Sequence, residues 1–130
     1  MNNKEFGKQM ELRTKQFAIQ ILQLSSSLPN TLEFNVIKNQ ISKSGTSIGA
    51  NYREANRSRS RADFLNKIKI CEGETNETIY WLEIISEFNE PEKTKIMALI
   101  KEAKEFLGIF IAIGNKIKSN ITTKTNTKRT

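Results

Sequence analysis

The sequence predicts an all-α fold, an antiparallel up-down four-helix bundle, and three observations carry that prediction. Apolar residues recur at steps of three, four or seven through nearly the whole chain. Three short polar breaks, "SSSLPN" at 25–30, "NRSRS" at 56–60 and "NEPE" at 89–92, cut that pattern into four long segments. Strand signals are missing: there is no period-two run and no Asn-Gly hairpin. Long helices with short connections pack as antiparallel neighbours.

The first helix carries Phe6, Met10, Phe17, Ile21, Leu24 and Leu28 on one stripe. The second carries Phe34, Ile37, Ile41, Gly45, Ile48, Tyr52 and Ala55, and Asn30 with Glu33 marks its start as a capping pair. In the third, Phe64, Ile68, Cys71, Thr75, Leu82 and Ile85 keep one register behind Ser60 and Asp63. The fourth runs Ile96, Ile100, Ala103, Leu107, Phe110, Gly114, Ile117 and Ile121, with Asn89 and Glu92 as its expected cap and Pro91 at an early position. One domain over 1–121 follows, with 122–130, "TTKTNTKRT", expected as a disordered basic tail. Additional apolar positions on the third helix (Ile70, Ile79, Trp81, Ile84) and the fourth (Leu99, Phe106, Ile109, Ile111, Ile113) exceed what one buried face requires. Either these helices sit unusually deep or their outer faces meet another subunit, and the second, a homo-oligomer, is the reading preferred.

Composition narrows the function. The chain has no histidine and one cysteine, Cys71, so the commonest general base is absent and no intramolecular disulfide can form. No phosphate-binding, dinucleotide-binding or nucleophile-elbow motif occurs. No metal site and no cofactor is expected, and the chain reads as a non-enzyme. The N-terminus is too charged for a secretory signal and no window is apolar enough for a membrane span, so a cytoplasmic protein is expected. A net charge of +7 and a pI near 9.6 point to an acidic partner such as RNA, DNA or anionic lipid.

The passage "SGTSIGANYREANRSRSRADF", 44–64, holds what is most specific here. Gly45 and Gly49 lie one turn apart on a helix, where each costs up to about 1 kcal/mol against alanine. They predict a neighbouring helix pressed close. Asn51 and Glu54, with Glu77 from the third helix, are expected to form a structural polar network joining the second and third helices, Glu54 meeting Arg57, Arg59 or Arg61. The competing reading of Glu54 and Glu77 as an active site is the weaker one. Arg53, Arg57, Arg59 and Arg61 converge at the turn, and Lys67 extends the charge along the third helix. Arginine's planar donor fork suits phosphate, so these five residues are the candidate nucleic-acid contact.

The same passage, continued to "FLNKIKICEGETNETIYWLEII", resembles the central signature of the bacterial four-helix-bundle family that includes the 23S rRNA intervening-sequence proteins. The matching positions are Ser47, Ile48, Ala50, Asn51, Glu54, Arg59, Ser60 and Glu77. One departure is Ala55, where many members place glycine. The resemblance implies a helical bundle assembled as a homopentamer, without an enzymatic activity. The retroelement accessory variability proteins look similar in fold, and through them the resemblance implies RNA and a reverse transcriptase as partners. Two readings remain: an oligomeric nucleic-acid-binding bundle, and a structural or protein-interaction module with no nucleic-acid role.

Overall fold

The computed structural model describes residues 2–88 and 91–129, with the side chains of 121–129 outside the described residues. Four helices follow in order: α1 (Asn3–Ser27), α2 (Leu32–Ala55), α3 (Arg61–Ser86) and α4 (Lys93–Arg129). Each packs antiparallel to the next, and α4 returns to α1 to close the bundle. Among the described residues there is no strand. The expected boundary at 121–122 falls within α4, in the stretch whose side chains are not described.

Side-chain caps set the starts. Ser60 opens α3, its hydroxyl accepting from the Asp63 amide at 3.1 Å. For α2 the cap is Thr31, one residue after the expected Asn30; its hydroxyl accepts from the Phe34 amide at 3.2 Å. At α1 the capping side chain is Asn2, which accepts from the Glu5 amide at 2.8 Å. Asn89, expected to cap α4, lies outside the described residues.

The expected stripes form the core except toward the end where α1 starts: Phe6 is exposed, Phe64, Leu107 and Ile117 are half-buried, and the Ile121 side chain lies outside the described residues. Phe17, Ile21, Leu24, Ile41, Ile48, Ile68, Leu82, Ile85, Ile96 and Phe110 are almost wholly withdrawn from solvent. Threonines among them return their hydroxyls to their own helix: Thr14 to the Met10 carbonyl at 2.8 Å and Thr75 to the Cys71 carbonyl at 2.7 Å. A buried threonine can therefore occupy a core position without stranding its hydroxyl. Cys71 is fully buried too, and desolvation pushes its thiol up to about 12, so it is no nucleophile near neutral pH.

Most of the surplus apolar residues of α3 and α4 follow the first of the two alternatives, deep burial within the chain, rather than the preferred one. Ile79, Leu99 and Phe106 are buried within the single chain, and Trp81, Ile84, Ile109 and Ile113 pack against the core. Only Ile70 and Ile111 of that set remain substantially exposed. The outer face of α1 instead presents Leu12, Ile19 and Leu22, each 46–56% exposed, on the side opposite Met10, Phe17 and Leu24.

The neighbour of the α2 glycines is α1. A Cβ on Gly45 would stand 2.8 Å from Ile21 Cγ2, with two further Ile21 carbons within 3.2 Å. On Gly49 it would meet Thr14 Oγ1 at 3.0 Å and the Thr14 carbonyl carbon at 3.3 Å. Gly73, by contrast, has nothing within 4 Å of such an atom. Gly45→Ala and Gly49→Ala should each lower stability by about 1 kcal/mol, since overpacking outweighs the helix-propensity gain. Gly73→Ala should raise it by a similar amount, and thermal melts of the three variants check both signs.

Candidate nucleic-acid interface

Antiparallel packing brings the start of α1, the end of α2, the start of α3 and the end of α4 to one end of the bundle. The α2–α3 turn lies there, and with it the predicted arginines. All four, Arg53, Arg57, Arg59 and Arg61, are exposed, and Lys67 is partly so.

They are not equivalent. Arg53 Nε lies 3.3 Å and Arg57 Nη1 3.5 Å from the Glu11 carboxylate of α1, which also accepts from Asn56 Nδ2 at 3.0 Å. Arg57 further donates to the Arg53 carbonyl at 2.9 Å, satisfying a carbonyl at the end of α2. Desolvation pushes the Glu11 carboxyl up, but the Asn56 hydrogen bond and the charges of Arg57 and Arg53 outweigh it and hold it below the ordinary range. Arg59 and Arg61 make no ion pair among the described residues. Arg61 is also the first residue of α3, at the positive end of its dipole, where a cation costs roughly 0.3–1 kcal/mol. Stability of the helix gives no reason for an arginine at that place.

The expected polar network takes another form. Glu54 pairs with Lys67 Nζ at 2.8 Å, and not with Arg57, Arg59 or Arg61. Its carboxylate is 62% exposed, so the pair contributes less than about 1 kcal/mol. Asn51 donates to the Ser47 carbonyl of its own helix at 2.9 Å. Glu77 is exposed, ten residues beyond Lys67 and so roughly 15 Å further along α3. The three residues thus do not meet. The buried polar joint between α2 and α3 is Ser44 and Thr78, whose hydroxyls lie 2.9 Å apart, helped by the Cys71 thiol at 3.7 Å from the Ile48 carbonyl. Among the described residues no cluster of His, Cys, Asp or Glu could hold a metal, and no helix is long and apolar enough to cross a membrane.

The wider end is more basic than the turn alone. Residues 2–15, 50–70 and 108–120 carry 12 lysines and arginines against 4 acids, while 16–49 and 71–107 carry 6 against 10. Lys4 and Lys8 of α1 and Lys116 and Lys118 of α4 belong to this end and were missed from the sequence. Lys118 lies beside Lys69, and that contact, followed by Lys69's charge, lowers its pKa. The signal that could have found them is charge summed over alternate ends of successive helices.

Because the Glu11 carboxyl is lowered on folding, it stabilises the protein at neutral pH. That contribution is lost as pH falls from the ordinary carboxylate range, near 4.5, through the lowered folded-state value. Glu11→Gln should lower the melting temperature at pH 7 and leave it little changed at pH 3, which paired melts at the two pH values check.

The family described as 23S rRNA-intervening sequence protein matches residues 9–112, from within α1 to the middle of α4. A solved structure of a protein with unknown function from the S23 ribosomal protein family of Bacteroides thetaiotaomicron is 38% identical, covering 80% of this chain and 96% of that one, with a TM-score of 0.73. No curated protein matches. The matched region holds the whole α2–α3 hairpin on which the resemblance was drawn, and the chain belongs to the 23S rRNA-intervening sequence protein family.

Proposed function

We propose that this protein is a non-enzymatic, homo-oligomeric bundle that binds RNA through its basic end. The observation that supports this reading most is the polarity of charge along the bundle, with 12 cations against 4 acids in the segments of one end. Phosphate contacts draw on such a field, and their affinity falls with salt in proportion to the charges engaged. Arg59 and Arg61 are the foremost contacts, since neither is spent on an ion pair among the described residues. Arg53 and Arg57 contribute once a phosphate competes with Glu11 for them, and Lys67 once it leaves Glu54.

Self-association is supported by the outer face of α1, where Leu12, Ile19 and Leu22 lie exposed in one line. The subunit number, five, rests on the family resemblance. A ring would repeat the basic end and raise the effective concentration of weak patches along one polyanion. A reverse transcriptase as a further partner rests on resemblance alone. The structural or protein-interaction reading predicts an oligomer as well but no salt-dependent RNA retention, so RNA binding separates the two.

Replacing Arg57, Arg59 and Arg61 with serine should strongly weaken retention of a single-stranded RNA and reduce the slope of log affinity against log salt by about 2, with an unchanged circular dichroism spectrum. Retention equal to the parent's would overturn the RNA reading. Light scattering at micromolar concentration should give a multiple of 14.9 kDa, five-fold by resemblance, and Ile19→Lys should reduce it; a monomer mass for the parent would remove self-association.

A further inference from the structure

The α1–α4 seam is closed at mid-bundle by Phe17 and Phe106, whose ring centroids lie 5.3 Å apart edge to face, and by Arg13 of α1, which pairs with Glu102 and Glu105 of α4. Toward the basic end a cavity of about 430 Å³ remains, between Phe6 and Gly7 of α1, Ile113 and Ile117 of α4, and Phe64 of α3. Tyr52 also lines it, and its ring packs on Phe110 at 5.9 Å between centroids.

Three properties of the lining restrict what could occupy it. Its cations are Arg61 and Lys116, and no carboxylate accompanies them. The two cavities on the α1–α2 side, one of which shares Asn3, Gly7 and Asn56 with it, both include Glu11. Its neutral polar groups are the Tyr52 hydroxyl and the side-chain amides of Asn3, Asn56 and Asn120; the amides can donate and accept, as the edge of a nucleobase does. Asn56 is held in place by its bond to Glu11. Of its three aromatic residues Tyr52 is buried, while Phe6 and Phe64 are more accessible and of the kind on which bases stack, and the volume lies in the range of ligand pockets. An aliphatic anion would leave the amides without partners. A free phosphate would leave the apolar walls wet.

We propose that this cavity receives a single nucleotide of a bound RNA, its base among Phe6, Phe64 and the asparagine amides and its phosphate at Arg61 and Lys116. The inference rests on the RNA-binding reading and gives it a place where a base, and not only backbone, is gripped.

The test is calorimetric titration of the full chain with adenosine 5′-monophosphate, adenosine, inorganic phosphate and decanoate. The monophosphate should bind saturably, about tenfold or more tighter than each of the others. Phe6→Ala and Lys116→Ser should each weaken it by about tenfold with unchanged melting temperature, as both side chains sit at the exposed rim. Absence of saturable binding, preference for decanoate, or indifference to both substitutions overturns the proposal. The double variant Arg57→Ser, Arg59→Ser alters residues that do not line the cavity, and it should weaken RNA retention while leaving monophosphate binding intact. Monophosphate binding without RNA retention would uphold the cavity and sink the RNA reading, whereas RNA retention without monophosphate binding would do the reverse.

Discussion

The close approach of α1 to α2 at Gly45 and Gly49 is the constraint on which the rest of the molecule depends. With no side chain between them at these positions, the α2 backbone rests on Ile21 and Thr14. That contact fixes the height of α1 against α2, and one turn beyond Gly49 it delivers Glu11 to Arg53 and Arg57. A bulkier pair of residues would push α1 outward and take the carboxylate with it. Two helix-weakening glycines are thus offset by a contact that sets the electrostatics of the basic end.

The arginines consequently divide into two kinds. Arg53 and Arg57 are shared between a structural role, closing the end of α2 against α1, and any contact with an external anion. Arg59 and Arg61 have no such internal obligation among the described residues. Arg61 even stands against the dipole of its own helix. An anion meeting this surface would find two cations free at once and two more that must exchange one carboxylate for another oxyanion. Such an exchange moves a charge-assisted hydrogen bond from Glu11 to phosphate, so the net gain from Arg53 and Arg57 is smaller than their charge suggests.

Burial tells a similar story on the opposite seam. Between α2 and α3 the buried polar groups are small hydroxyls and a thiol, each within reach of a carbonyl or another hydroxyl. Charges such as Glu54, Lys67 and Glu77 stay at the periphery, where water supports them. The α1–α4 seam, where Phe17 meets Phe106, is the looser closure, and the cavity lies toward its end.

Helix number, order and buried faces were legible in the sequence because amphipathic periodicity and breaks are local properties. The glycines, read as a close helix contact, were also legible, since their propensity cost demands some compensation. What periodicity could not give was the neighbour. Extra apolar residues on α3 and α4 look the same whether a second helix or a second subunit covers them, and here the chain itself covers most of them. Nor could it give Glu11 as the partner of Arg53 and Arg57, more than forty residues away, or Lys67 in place of an arginine as the partner of Glu54. The sequence by itself determined four helices, their inward faces and a run of arginines at one turn. Only the tertiary structure decided which of those charges are already paired and which cations of α1 and α4 join them, because pairing depends on the height at which antiparallel helices meet, a quantity that no single helix contains.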